Sequence, residues 1–212
     1  MKESDMSNTG IWERFIDRTA RRPEGKWAIK KYANPKGHYL SFKIIIDALC
    51  LNREDIYCEI GCGGGTLLGM VMPRVKRGSA IDHSIDMVEL SIKNNRPYVE
   101  EGTLEIVQGN AQHLPWKNEQ FTTCGSANMF FFVDDPEAML AEIFRVLKPG
   151  GRFSMVTMGN GLLGKIIFGW LYKLKTYPTI EMISMFQSAG FSNIQVKPAW
   201  SVMQVCYGEK PR

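Results

Sequence analysis

No stretch of about 18 or more apolar residues occurs in this 212-residue sequence, so no membrane-spanning helix is expected. The opening, MKESDMSNTG, has no apolar signal core. Cysteine is sparse. Five residues, at positions 50, 58, 62, 124 and 206, form no Cys-x-x-Cys pair and join no histidine at zinc-finger spacing. An odd, scattered set argues against a disulfide framework and a zinc finger, and a reduced, cytoplasmic chain is expected. Cys58 and Cys124 sit in apolar segments and read as small core residues.

Strong charge of one sign is also missing. The formal charge is +4, where nucleic-acid binders often carry more and cluster it. The clearest basic cluster is Lys26, Lys30, Lys31, Lys36 and Lys43, interleaved with Trp27, Tyr32 and Tyr39. A solvated face explains it, and a site for an anionic substrate or a membrane surface is the alternative. There is no internal repeat, low-complexity tract or linker, so one compact domain is expected. What is present is ordinary globular material, 44% hydrophobic and 23% charged, in a chain long enough to bury one large core.

The apolar residues come in short runs separated by helical patterns. Ile56–Ile60, Ser79–Asp82, Leu104–Val107, Phe121–Ala127 and Arg152–Met158 read as strands, with Ile194–Lys197 and Val202–Tyr207 as two more. Helices are expected over 11–20, 38–49, Gly65–Met72 and Thr179–Ala189. Ser84 can cap another, whose apolar face is Ile85, Val88 and Ile92. Asp135-Pro136 opens one whose buried face is Leu140, Ile143, Phe144 and Leu147. It ends at Lys148-Pro149-Gly150-Gly151, a cation at the negative helix end followed by residues that stop helices. Strands alternating with helices predict a doubly wound α/β sheet.

Four glycines crowd the stretch YCEIGCGGGT, residues 57–66, after the first strand. A glycine-rich turn there lets a ligand approach the backbone and meet the positive end of a helix. The nicotinamide fingerprint G-x-G-x-x-G needs a third glycine where Thr66 stands. Asp82, 17 residues after Gly65, ends the second strand and can accept from both ribose hydroxyls of an adenosine cofactor. Glu59, beside the loop, opposes a pyrophosphate and suits a cation. Glu59 thus points away from NAD and towards S-adenosylmethionine, which carries an ammonium and a sulfonium. The loop is then expected to be bare so that a methionine backbone can lie against it.

On these residues the chain resembles the class I S-adenosylmethionine-dependent methyltransferases, in particular the small-molecule branch that includes ubiquinone and menaquinone biosynthesis enzymes. The likeness runs from about Ile56 to Phe191 in four ordered blocks. Glu59-Ile60-Gly61-Cys62-Gly63-Gly64-Gly65 resembles E/D-x-G-x-G-x-G, which holds the methionine end of the cofactor. Asp82-His83-Ser84 with Met87 is similar to the ribose-binding D-x-S-x-x-M. Gly109-Asn110-Ala111-Gln112 running to Leu114-Pro115-Trp116 resembles G-D-A-x-x-L-P-F, which grips the adenine. Asp135-Pro136 through Arg145-Val146-Leu147-Lys148-Pro149-Gly150-Gly151 resembles D-P-x-x-x-L-x-E-x-x-R-V-L-K-P-G-G. The resemblance implies a mostly parallel seven-stranded sheet with an antiparallel last strand. It also implies cofactor contacts from Glu59, Gly61, Cys62 and Gly63, from Asp82, His83 and Met87, from Asn110, Ala111 and Gln112, and from Asn128 and Met129 after the fourth strand.

This sequence departs from the family pattern in places. Asn110 replaces an acid, and Thr122 stands where an Asp commonly follows the fourth strand's Phe. Phe131 and Phe132 occupy the positions of a frequent His-His pair, so no imidazole base comes from there; they suggest a hydrophobic substrate surface or packing. His38 and Tyr39, beside the Pro35-Lys36-Gly37 turn, are the remaining catalytic candidates. His83 reads as packing near adenine and His113 as a solvated position. Residues 1–50 read as an N-terminal helical lid and 51–212 as the methyltransferase domain. Within it, 159–177 reads as a helical insertion that covers the sheet or roofs the substrate with Trp170 as a contact, a basic amphipathic surface touching membrane being a third reading. No [ND]-P-P-[YFW] or Pro-Cys pair marks base methylation, so a small-molecule acceptor is preferred and no nucleic acid is expected. A cofactor-binding protein without catalysis is the rival reading. Oligomeric state is open between monomer and homodimer.

Overall fold

The computed structural model describes residues 24–159, 161, 174–200 and 202–212. The helix expected over 11–20 and most of the 159–177 insertion, Trp170 included, lie outside the described residues. Seven strands are present among them: β1 (Ile56–Ile60), β2 (Arg77–Asp82), β3 (Leu104–Gln108), β4 (Phe121–Ala127), β5 (Leu147–Met158), β6 (Ser192–Trp200) and β7 (Met203–Glu209). They form one sheet in the order β3-β2-β1-β4-β5-β7-β6. β1 to β5 pair in parallel, while β7 runs antiparallel to both β5 and β6. This is the class I methyltransferase arrangement.

The helices are α1 (Gly25–Tyr32), α2 (Tyr39–Leu49), α3 (Thr66–Val71), α4 (Ile85–Asn94), α5 (Arg96–Glu100), α6 (Pro136–Val146) and α7 (Thr179–Ser188). Parallel strands buried on both faces need helices on both sides. On one side Phe42, Ile45 and Leu49 of α2 pack with Leu67, Leu68 and Val71 of α3 against Tyr57 and Ala80. On the other, Met139, Leu140 and Ile143 of α6 and Met182 and Phe186 of α7 cover Cys58, Cys124 and Phe153. Both central cysteines are fully buried free thiols in adjacent strand positions.

Two local expectations need correcting. On α4 the buried residues are Met87, Val88, Leu90 and Ser91, while Ile85 and Ile92 are exposed. The helix is turned so that Ser91, with Asn95 just beyond it, faces the glycine loop. At the end of α6 the cation is Lys210 from the far end of the chain, not Lys148. Its Nζ donates to the carbonyls of Phe144 (3.0 Å) and Leu147 (2.8 Å). Residues 148–151 bulge from β5, since Phe121 pairs with Leu147 and Thr123 with Arg152.

Candidate functional site

The carboxyl ends of β1, β2, β3 and β4 open onto a cavity of about 630 Å³. It lies where the strand order reverses between β1 and β4, the place where open α/β sheets leave a crevice. The loop after β1 is tied down by the protein's own hydrogen bonds. The amides of Gly61 and Cys62 both donate to the Ile81 carbonyl, at 2.8 and 3.1 Å. Asp82 accepts from the Gly63 amide at one oxygen (2.8 Å) and from the Ser84 amide at the other (3.0 Å). The end of α4 holds the loop from outside: Asn94 Nδ2 donates to the Gly64 carbonyl and Asn95 Nδ2 to that of Gly65.

These contacts change the account of the glycines. A Cβ on Gly64 would strike the Tyr32 backbone carbonyl, and one on Gly65 would strike Ser91 and Asn95. Those two positions are bare for the sake of α1 and α4. Only a Tyr32 ring carbon, at 3.7 Å, would meet a Cβ on Gly63.

Glu59 is buried at the end of β1, with its Oε2 accepting from Tyr57 Oη at 3.4 Å. Burial pushes its carboxyl well above the usual range; the Tyr57 hydrogen bond opposes this and the charge of Asp82 adds to it. A cation placed beside it would restore the ionised form. Asn110 Oδ1 accepts from the Gln112 amide (2.9 Å), shaping the turn after β3. That turn is pinned from outside by Arg145 of α6, which donates to the carbonyls of Leu114 (3.1 Å) and Trp116 (2.8 Å). Glu142 completes the clamp by accepting from the Leu114 amide (2.7 Å) and pairing with Arg145. The Arg-Val-Leu-Lys-Pro-Gly-Gly block thus braces the site without touching it.

All twelve residues expected to contact a cofactor line this one cavity. Among the acceptor-side candidates, His38 and Phe132 line it, while Tyr39 and Phe131 do not. In the tight turn Phe130–Phe132 successive side chains diverge, so Phe130 and Phe131 turn inward and only Phe132 meets the cavity. Tyr39 points outward and bonds Asn34 at 3.4 Å. His113 is exposed. Thr122 does its work at the other end of the sheet, bonding Asp55 Oδ1 (2.7 Å) and the Ile56 amide (2.9 Å).

Sequence reasoning missed Tyr32, Pro35 and Phe42 as cavity walls. Tyr32 stood out only as an aromatic among lysines, and Phe42 simply falls within the helix expected over 38–49. His38 is flanked edge-on by Tyr32 and Phe42, at centroid distances of 6.4 and 6.1 Å. Burial, then the charge of Lys31, lowers its pKa, which keeps the imidazole neutral at pH 7. Ser41 of α2 reaches Asn128, whose Nδ2 donates to Ser41 Oγ at 3.2 Å.

A sheet of this order with a crevice of this make-up defines a class I methyltransferase fold. Residues 58–155, just under half of the chain, match the family described as Methyltransferase domain. It is 28% identical over 138 residues to a demethylmenaquinone methyltransferase of Lactobacillus johnsonii, covering 64% of this chain and 57% of that one. The chain spans about half the length of several curated relatives it matches. Among solved structures, phosphoethanolamine N-methyltransferase 2 of Haemonchus contortus in complex with S-adenosyl-L-methionine superposes with a TM-score of 0.77. It is 14% identical, and the match covers 95% of this chain and 60% of that one. The [4+2]-cyclase SpnF superposes at 0.69, 15% identical, with 80% of each chain covered.

Proposed function

We propose that this chain transfers the methyl group of S-adenosylmethionine to a small, partly apolar or aromatic molecule by in-line displacement. The observation that carries the reading is the meeting of buried Glu59, the Gly61–Gly63 turn, Asp82 and the Asn110–Gln112 turn around one cavity. They fit this cofactor. Glu59 offers a carboxylate to an ammonium in a buried place, where an ion pair counts most. The Gly63 backbone leaves room for the methionine chain, with Gly61 and Cys62 beside it. Asp82, with Met87 from the same segment, would hold the ribose, and Asn110, Ala111, Gln112 and His83 would hold adenine. Asn128 and Met129 border the sulfonium end. When bound, the cofactor supplies an electrophilic methyl group on a charged sulfur.

The chain's own contribution is alignment and exclusion of water, effects worth roughly 7–11 kcal/mol in model systems. Pro35, Phe42, Phe132 and Val133 give the acceptor side an apolar wall. His38, neutral within it, is placed to take a proton from an acceptor that enters protonated. In this reading Tyr32, Pro35, His38 and Phe42, from the described part of the expected 1–50 lid, close the acceptor side of the cavity.

Calorimetry of the intact chain with S-adenosylhomocysteine tests the cofactor site. Micromolar-range binding is expected, weakened on the order of 100-fold by Asp82→Ala, which removes two hydrogen bonds of charge-assisted strength. No binding by the unaltered chain overturns the reading. Phe131 and Phe132, in place of a histidine pair, favour the second reading of a non-catalytic cofactor-binding protein. Transfer of a tritiated methyl group to phenols, amines or thiols decides between them.

A further inference from the structure

The segment that walls one side of the cavity also carries the chain's positive charge. Residues 25–46 hold five lysines and no acid, so the remaining residues together carry one net negative charge. All five lysines are exposed. Large apolar side chains stand among them: Ile29, Tyr39 and Leu40 are 38%, 42% and 55% exposed. They are half of the six large hydrophobics exposed among the described residues. The arrangement follows helix geometry. On α1, Lys26, Ile29 and Lys30 stand at i, i+3 and i+4, and at the start of α2 Tyr39, Leu40 and Lys43 share a face. Other faces of the same segment give Tyr32, His38 and Phe42 to the cavity. Glu24 and Asp47 bound the stretch, and Asp86 is drawn against α1 by the Gly25 amide (2.6 Å).

A solvated face accounts for the lysines and gains nothing from exposed leucine, isoleucine and tyrosine. An anionic solute likewise uses only the charges. Ammonium groups interleaved with apolar side chains suit a lipid–water boundary, where lysines meet phosphate headgroups and apolar groups enter the acyl edge. We propose that the surface of residues 25–43 docks this protein on an anionic phospholipid bilayer, with the cavity mouth beside the lipid. Combined with the methyl-transfer reading, this makes the acceptor an apolar molecule that enters the cavity from the bilayer. The docking itself does not rest on that reading.

The test is co-sedimentation of the intact chain, without cofactor, with phosphatidylglycerol-containing vesicles and with pure phosphatidylcholine vesicles. Binding to the anionic vesicles alone is expected, falling as salt is raised. Each lysine near such a surface contributes about fivefold, so Lys26→Gln/Lys30→Gln/Lys36→Gln lowers partitioning on the order of 100-fold. Leu40→Ser lowers it about tenfold through lost apolar insertion. None of these side chains lines the cavity, so circular dichroism and S-adenosylhomocysteine binding stay as in the unaltered chain. Equal partitioning onto neutral vesicles overturns the proposal, as does no binding to anionic vesicles at low salt. A folded triple variant that still binds like the unaltered chain does so too. Binding to an RNA homopolymer without vesicle binding reassigns the surface to nucleic acid and refutes it.

Discussion

Glu59 is a buried carboxyl with one long hydrogen bond, and a buried carboxyl resists ionisation. Its raised pKa carries a definite sign. The stability it permits is fully present below the ordinary value of about 4.3 and is lost as pH rises towards its raised value. Glu59→Gln removes that loss. At pH 8 the ligand-free variant is expected to melt a few degrees higher than the unaltered chain, and at pH 4 no higher. Under the proposed reading the same change removes the partner of the ligand's ammonium, so affinity for S-adenosylhomocysteine is expected to fall on the order of 10- to 100-fold. A ligand ammonium paired with Glu59 favours its ionised form, so binding in the unaltered chain is expected to release protons. Calorimetry in two buffers of different ionisation enthalpy measures that release. Glu59 and Asp82 were legible in the sequence because each sits within a few residues of a glycine turn or a strand end. Tyr32, His38 and Phe42 reach the cavity only because two helices dock across it, and no local pattern states where a helix will dock.

At the scale of elements, the strands were readable and the helix faces less so. Periodicity weighs apolar residues, and on α4 it selected Ile85 and Ile92. The helix instead turns Met87, Ser91 and Asn95, spaced four apart, towards the body of the protein, because Ser91 and Asn95 pack on Gly65. A polar contact of that kind leaves no hydrophobic signature. Gly64 is its counterpart on α1. Gly64→Ala drives a methyl group at the Tyr32 carbonyl, so α1 must lift from the loop. Faster amide exchange over 25–32 is expected while the sheet amides keep their protection. Arg145 works on a third element, the turn after β3. Arg145→Ala leaves the Leu114 and Trp116 carbonyls without this donor and strips Glu142 of its partner. Urea denaturation should show a loss of about 2–4 kcal/mol. Arg145→Lys, which cannot fork, should recover only part of it.

Across the whole molecule these groups set a pH profile that ligand should move. On the acid side, Glu142 is held below its usual range by Arg145 first of all, and Glu209 by its hydrogen bonds from Tyr207 and Asn193. The stability they contribute is present above their unfolded value of about 4.3 and fades as pH falls through their lowered values. His38, lowered chiefly by burial, acts in the same sense at higher pH. Folding is penalised as pH drops below about 6.5, where the unfolded imidazole takes up a proton that the buried one resists. Glu59 works the other way, costing stability as pH rises towards its raised value. The ligand-free chain therefore loses stability from His38 as pH falls below about 6.5 and from Glu59 as pH rises above about 4.3, and these two groups line the cavity. Under the proposed reading, a ligand ammonium beside Glu59 relieves that group's cost alone, by favouring its carboxylate form. Melting curves across pH 4 to 9 should show S-adenosylhomocysteine raising the melting temperature more at pH 8 than at pH 5. Glu59→Gln should flatten that difference while His38→Gln leaves it in place. A shift that is equal at both pH values would mean that the ligand's amino group does not meet Glu59.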